Sequence, residues 1–451
     1  MPIISETQVR TACAQQQAAH LELLPSLKAS RVRMSVEEIL AEIQQGADQP
    51  LDQAYTIPSE AYTSDAFYAW EMEEIFRKEW YCLLHVSQIP QVGDFVNLDL
   101  FGNPLVVVRD KSEDIQVLSR TCPHRAMDIM PPGFGYDGHG PAEPKEGKPG
   151  CGHTRLFICP YHSWTFDLDG KLKGCPEMQE AAGFRRDDWA LTSFRSEVWN
   201  GFVFVNLDGK APRSVAEQYR ELGDDLGRWN SAEMELVMER DWEIPCNWKV
   251  LTENFMESYH HLGAHAKTLQ PTMHAKDTWT EEEKAHYIRC HLPYKAATRA
   301  QMEKLEAQGE QAHTFPPIDG LTDEEHREWG LILGFPLFTL VTAPDQLVWY
   351  RIIPEGPDKV RLMTGMLVPK EVTQEEGFAA MLEQGAADSM AFHLEDMEVI
   401  TAVQRSYYGD GYQRGRLSHL EMPIWLIQRY LAARARGTWP TEDRAPAPSQ
   451  R

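Results

Sequence analysis

Two short segments, Cys122-Pro-His124-Arg125 and Cys159-Pro-Tyr161-His162, constrain this chain more than anything else in it. Each sets a thiolate and an imidazole two or three residues apart at the tip of a strand-rich stretch. Proline after each cysteine fixes φ and removes a backbone donor, as a tight ligand loop requires. Two thiolates and two imidazoles can hold zinc tetrahedrally, or a [2Fe–2S] cluster with cysteines on one iron and histidines on the other. One such pair alone reads as a buried cysteine beside an unrelated histidine. Two pairs in one β region reverse that balance, and Tyr161 and Trp164 are placed to shield the site from water.

The surroundings read as β structure. GDFVNLDLFGNPLVVVRD alternates like two strands joined at Gly-Asn-Pro. LFICPYHSWTFDLDGKLKG and EVWNGFVFVNLDGKAP each carry an Asp-Gly turn. Residues 88–208 are therefore expected to form a small all-β domain. A Pro/Gly-rich loop over 131–153 interrupts it. Its Gly133, Gly135 and Gly138 match a dinucleotide fingerprint by letters alone, with no helix behind them. Cys151 and His153 form another Cys-x-His, too close to Cys159 to leave room for separating strands.

Residues 1–87 read as an N-terminal segment with helix packing on a later domain. SVEEILAEIQQG carries a capping box at Ser35 and Glu38, and 64–80 has an amphipathic helical pattern. Residues 209–436 read as a larger α+β domain. Within it, 242–265 looks mainly helical, 270–330 loop-rich and 333–369 strand-rich, with closing helices near 374–408 and 419–436. Residues 437–451 read as a disordered tail.

Composition excludes several classes. Forty-two per cent hydrophobic and 25% charged residues over 451 positions describe a globular protein of two or three domains. A net charge of −24 argues against nucleic acid as a partner. No run of about 18 apolar residues predicts a membrane span, and MPIISETQVRTACAQQQ lacks a secretory pattern. A cytoplasmic location is expected. The eight cysteines fit metal ligation or burial better than a disulfide framework.

A second constellation lies in TENFMESYHHLGAH, 252–265. Glu257, His261 and His265 fall at i, i+4 and i+8, one stripe of a continuous helix. His260 and His265 share an ion only if that helix distorts, which Gly263 would help. No H-E-x-x-H motif supplies a hydrolytic base. Far downstream, Asp396 shares a helical face with Phe392, Val399, Ile400 and Val403. A carboxylate there needs a metal or buried cation, whereas solvent suffices for Glu395 and Glu398.

These segments together resemble the Rieske non-heme iron oxygenases, terminal (alpha) subunits of ring-hydroxylating systems. C-P-H-R followed by C-P-Y-H-S-W-x-F-D-x-x-G is similar to their cluster signature. The spacer between the two halves is about twice the family's usual length. Asn247-Trp248-Lys249, Glu253-Asn254, Glu257-x-x-His260-x-x-x-x-His265, Glu395-Asp396 with Gln404, and Gly415–Ser418 with Glu421 match its catalytic segments in order. The resemblance covers roughly residues 64–436.

It implies an α+β chain: an all-β Rieske domain, then a helix-grip (START-like) catalytic domain with an antiparallel sheet and helices. The implied cluster ligands are Cys122, His124, Cys159 and His162. His260, His265 and Asp396 would hold a mononuclear Fe(II), whose open positions take O2 and face substrate. Glu257 is implied as an electron bridge to the cluster of a neighbouring subunit in a homotrimer, through His162 and His260, with Asn254 beside it. His261 then becomes an outer or packing residue. Aspartate is commoner at the bridge, and glutamate is a feature of members acting on quaternary ammonium compounds.

The expected function is a terminal oxygenase fed by a separate reductase or ferredoxin carrying NAD(P)H-derived electrons. It would hydroxylate a small organic, aromatic substrate in catabolism, with the 333–369 sheet walling the pocket. The alternative substrate is a quaternary ammonium or N-/O-methyl compound, demethylated by monooxygenation. From another class, the chain could be a zinc metalloprotein or an electron carrier. Metal analysis separates these.

Overall fold

The structure, a computed structural model, describes residues 34–131, 143–145, 148 and 150–439. The fingerprint-like glycines 133, 135 and 138, and the tail from 440, lie outside them. Two compact units are present, one running from Phe76 to Leu236 and the other built from the chain on either side of it. Mixed helices and antiparallel sheets make the fold α+β, as expected.

The Phe76–Leu236 unit is β-rich. Its larger sheet is built from β1 (Trp80–His85), β2 (Asp94–Leu100), β3 (Asn103–Arg109), β4 (Ile115–Ser119), β5 (Glu143–Pro144), β6 (Cys151–His153), β10 (Ser193–Trp199) and β11 (Phe202–Asn206), in the order β1-β11-β10-β4-β3-β2-β6-β5. A second sheet holds β7 (Phe157–Ile158), β8 (Thr165–Phe166) and β9 (Leu172–Gly174). The β2–β3 turn falls at Phe101-Gly102, one position before the expected Gly-Asn-Pro. Both residues take positive φ, 49° and 77°, the twist that suits a two-residue hairpin. Likewise β10 and β11 turn at Asn200-Gly201 rather than at Asp208-Gly209. A Cβ on Gly201 would lie 2.6 Å from His85 Nε2 and 2.7 Å from Ala232 Cα, so glycine is required there. Phe95, Val108 and Leu118 of the large sheet meet Trp164, Phe166 and Leu172 of the small one in a single core that also holds Cys122 and Cys159. Each such buried side chain contributes ~1.5–3 kcal/mol. The two cysteine loops are therefore anchored at their roots.

In the other unit, β12 (Met234–Ile244), β13 (Trp279–Thr280), β14 (Tyr287–Pro293), β15 (Glu328–Gly334), β16 (Phe338–Thr342), β17 (Leu347–Gly356) and β18 (Lys359–Pro369) form one sheet. Strands β13 to β18 run as an antiparallel meander, and β12 lies beside β18. Its helices include α1 (Val36–Ala47), α2 (Asp65–Glu71), α3 (Trp248–Met256), α4 (Ala296–Ala307), α5 (Phe378–Tyr407) and α6 (Met422–Ala435). The capping box forms at α1, where Ser35 Oγ accepts from Glu38 N and Glu38 accepts from Ser35 N. Arg429 of α6 and Arg436, just past its end, donate to the last carbonyls of α1, Ala47 O and Gln44 O, where a cation is favoured by the helix dipole. The long α5 is tied to the sheet through Tyr350 of β17, whose hydroxyl meets His393 Nε2 at 2.9 Å.

Three local expectations need correction. The 64–80 pattern yields only α2 and a short π turn over Met72–Phe76 before Trp80 opens β1. Residues 242–265 are not one helix: β12 runs through Ile244, and α3 stops at Met256. The 270–330 stretch carries β13, β14 and α4.

Strand β14 was hidden because its buried polar residues find partners. His291 Nδ1 lies 2.6 Å from Glu328 and Nε2 3.2 Å from Glu281, while its ring stacks on Trp279 at 3.9 Å. Arg289 stands 3.8 Å from Glu281 and 3.9 Å from Glu325. Burial pushes the His291 imidazole down, but the two glutamates outweigh it and the net pKa is raised. A raised folded pKa gives stability that is fully present below the unfolded value near 6.5 and fades as pH climbs through the folded value. The stability gap between wild type and His291→Gln should therefore shrink from pH 6 to pH 9. Denaturant midpoints of both proteins across that range measure it, and a constant gap would contradict the assignment.

Candidate cluster and metal sites

The two cysteine loops are built alike. In each, the backbone N–H four residues after the cysteine donates to its carbonyl, Ala126 to Cys122 and Ser163 to Cys159. Ala126 and Ser163 both take positive φ, 55° and 58°. The resulting tight turns aim the side chains inward. Cys122 and Cys159 sit together in the same buried core, and the His124 and His162 rings lie 4.7 Å apart. Trp164, buried, stacks flat on His124 at 4.8 Å. Tyr161 stacks on His162 at 3.7 Å yet remains 51% exposed, so the water shield expected of the pair falls to Trp164.

Burial first of all, and then neighbouring Cys159, pushes the Cys122 thiol up to about 11 against the pull of the His124 and Arg125 backbone N–H groups. Such a thiol stays protonated until a metal displaces the proton. Those same N–H groups would then donate to the cysteine sulfur of a bound cluster. His124 Nδ1 is buried without a hydrogen-bond partner. Two thiols and two imidazoles at one tip, one of them with an orphan nitrogen, fit a Cys2His2-ligated [2Fe–2S] group. His153 is engaged elsewhere, its Nδ1 3.0 Å from Asp94 on β2 of the larger sheet.

The second site begins where α3 ends. Glu257 leaves the helical conformation (φ −105°, ψ 143°), and a 3-10 turn follows over Tyr259–Leu262. The Glu257 carboxylate accepts from His260 N at 3.1 Å, much as a helix cap does, and from His260 Nδ1 at 2.8 Å. The distortion expected at Gly263 thus occurs at Glu257–Ser258, and the stripe of Glu257, His261 and His265 does not form. Gly263 keeps an ordinary negative φ, with nothing crowding its Cβ position closer than 3.9 Å.

His260, His265 and Asp396 come together. Asp396 Oδ1 is 3.0 Å from His265 Nε2 and 3.6 Å from His260 Nε2, and accepts from Asn254 Nδ2 at 2.8 Å. His265 Nδ1 meets Glu395 Oε2 at 2.7 Å, and Thr268 Oγ1 donates to the same oxygen. Solvent was expected to satisfy Glu395. Instead the loop bearing His265 and Thr268 engages it, a contact that helical position alone could not reveal.

With each Nδ1–H given to a glutamate, both Nε2 lone pairs point at a carboxylate oxygen. Either a proton on the imidazole or a metal cation among them relieves the repulsion, and two imidazoles with one carboxylate form a donor set that fits a divalent ion. A carboxylate behind each imidazole orients it and raises its basicity. Burial pushes Asp396 up, but the hydrogen bond and charge of His265 prevail and hold it below its usual value. His265 is raised correspondingly, burial opposing and Asp396 prevailing. His261 lies beside them, one nitrogen from each of His260, His261 and His265 lying within 4.8 Å of the other two. Burial pushes His261 down to about 3, leaving it neutral.

Sequence reasoning missed a buried layer behind this site. Lys249 Nζ pairs with Glu71 Oε1 at 2.5 Å, both side chains fully buried. The Tyr62 hydroxyl donates to the Glu253 carboxylate, which burial above all pushes up to about 8. The N-W-K and E-N letters marked Lys249 and Glu253; their partners Glu71 and Tyr62 carried no local signal.

Comparisons agree with this layout. Residues 79–194 match the Rieske [2Fe-2S] domain family, and residues 227–437 the ring hydroxylating alpha subunit (catalytic domain) family. The carnitine monooxygenase oxygenase subunit of Acinetobacter pittii is 31% identical over 48% of this chain and 53% of its own. The biphenyl 2,3-dioxygenase subunit alpha of Rhodococcus jostii is 33% identical over 45% of this chain and 41% of its own. The matched segment thus spans about half the length of these relatives. The solved structure of a quaternary ammonium Rieske monooxygenase shares the fold, with a TM-score of 0.69 at 21% identity over 89% of this chain and 99% of that one. No helix among the described residues is long and apolar enough to cross a membrane. The ordered pair of domain matches, Rieske followed by ring-hydroxylating catalytic, places the chain in the Rieske non-heme iron oxygenases.

Proposed function

We propose that this chain is the terminal oxygenase of a multicomponent system, hydroxylating a small organic, aromatic substrate with O2. The observation that carries the reading is the convergence of two imidazole nitrogens on Asp396, each imidazole backed by a glutamate. Cys122, His124, Cys159 and His162 would hold the cluster; His260, His265 and Asp396 would hold the mononuclear iron. When bound, the cluster supplies single electrons and the iron supplies an O2-activating centre with open positions. Asn254 fixes the Asp396 carboxylate. Glu257 and Glu395 keep Nδ1 protonated, so each Nε2 presents a lone pair.

The electrons would come from a separate reductase or ferredoxin. Glu257, gripping His260, is the bridge to the His162 of a neighbouring subunit in a trimer. The seven described cysteines are all free, which suits a reducing, cytoplasmic setting. Glu257→Ala is expected to keep cluster and mononuclear iron while turnover falls roughly 10- to 100-fold or more. Iron content and substrate-dependent O2 uptake together test this; iron loss would make Glu257 a ligand instead.

Aromatic side chains gather beside the site. Phe392 meets His265 and Trp329 edge-on at 6.4 and 6.2 Å, and Phe255 meets Tyr350 at 4.8 Å. Such faces suit an aromatic substrate. They also suit a quaternary ammonium or N-methyl group through cation–π attraction. This second reading is favoured by glutamate at position 257 and by the carnitine-acting relatives. Product analysis on aromatic and methylammonium substrates, with a compatible reductase, distinguishes them.

A further inference from the structure

We propose that the cleft between the end of α1 and the segment after α5 binds a small organic monocarboxylate carrying amide or hydroxyl groups. Its volume is about 420 Å3, within the roughly 300–1,000 Å3 of small-molecule sites. None of its lining residues belongs to the cluster or iron sites. The two walls are held together: Tyr55 and Arg416 form an antiparallel bridge, Thr56 N donates to Gly415 O, and Leu417 N donates to Ala54 O. A ligand therefore meets a preformed surface.

Charge selects an anion. Arg414 is committed, its Nη1 2.6 Å from Glu42 Oε2 and its Nε donating to Thr56 O, so those two charges cancel. Arg416 has no carboxylate partner among the described residues. Its guanidinium lies over the Tyr55 ring at 4.3 Å, and its side chain makes only a 3.5 Å hydrogen bond to Asp52 O. Stacking occupies a face of the guanidinium and leaves the N–H groups of its edge, which can grip a carboxylate through two bonds. The cleft thus keeps one positive charge on a chain whose net charge is −24. The carbonyl end of α1 would repel an anion, but Arg429 and Arg436 take its last carbonyls.

Polar groups select the rest of the ligand. The side-chain amides of Gln45, Gln49 and Gln53 line the cleft, each offering donors and an acceptor. Gln428 of α6 is fully buried, yet neither end of its amide has a hydrogen-bond partner. Its Oε1 lies 3.9 Å from where a Cβ on Gly46 would stand, and Gly46 itself lines the cleft, so no side chain there screens the amide. An unpaired buried amide is costly. A ligand amide or hydroxyl would satisfy it, directly or through a water.

Calorimetric titration of the full chain at fixed ionic strength tests this, with N-acetylglycine as probe and uncharged N-acetylglycinamide as control. Wild type should bind one equivalent of N-acetylglycine. The control should bind about 10-fold more weakly or worse, and Arg416→Gln should weaken N-acetylglycine by a similar factor. Arg416 is exposed, so its substitution leaves the core intact. Asp396→Ala should bind the probe as wild type does, which separates this cleft from the iron site. Absence of saturable binding, equal binding of the control, or binding unchanged in Arg416→Gln overturns the proposal, as does its loss in Asp396→Ala. None of these outcomes removes the iron from its ligands, so the iron reading stands or falls separately.

Discussion

Asp396→Ala is expected to keep the cluster's colour and its reduced EPR signal while losing the mononuclear iron and all turnover. Among the described residues, Asp396 is the one carboxylate whose oxygen faces both His265 Nε2 and His260 Nε2, at 3.0 and 3.6 Å. Its removal leaves the two Nε2 atoms with no carboxylate facing them, and strands the Asn254 amide that donates to it. Losing an outer partner typically costs 10- to 100-fold in metal affinity. Losing the anionic ligand should cost more than that. Asn254→Ala, which only frees the carboxylate to rotate, should stay inside the smaller range. Iron per chain, read beside cluster absorbance, separates the two variants. Full iron occupancy in Asp396→Ala would mean that another carboxylate holds the ion.

Lys249→Met carries the largest expected effect on stability. The substitution keeps most of the apolar volume among Tyr62, Phe67 and Trp248, over whose rings the ammonium sits at 5.0–5.6 Å. It leaves Glu71 fully buried without its cation. Burial already pushes Glu71 up and Lys249 down, and each is drawn back by the other. Breaking such a pair typically costs about 3–5 kcal/mol. Replacing both partners, Lys249→Met with Glu71→Leu, should recover most of the loss, since apolar groups of similar volume leave no uncompensated charge. Denaturant midpoints of the single and double variants measure this. A double variant no better than the single would show that packing, not the orphaned charge, sets the cost.

The parts of this molecule legible in its sequence are those where chemistry demands particular residue types at fixed spacing. Cys122, His124, Cys159 and His162 stood out because two cysteine–proline turns each carry a histidine at ligand spacing within one β region. Asp396 stood out because a carboxylate on the face of Phe392 and Ile400 needs a partner. Strands β16 to β18 followed from the strand-rich reading of 333–369 with its Pro-Asp and Gly-Pro turns. What stayed hidden depended on partners distant in sequence. Strand β14 reads as a charged loop until Glu281, Glu325 and Glu328 are placed around Arg289 and His291. The end of α3 stayed hidden because Glu257 competes with its own helix for the His260 N–H. Glu395 appeared to need only water because Thr268 and His265 arrive from a loop that periodicity does not place.

One chain should carry both a Rieske cluster and a mononuclear iron. Metal analysis of the full chain, paired with EPR of its reduced and nitric-oxide-treated forms, tests it most directly. Roughly three irons per chain are expected, two in the cluster and one mononuclear, with both the cluster signal and a ferrous nitrosyl signal. A colourless protein holding zinc and showing neither signal would contradict it.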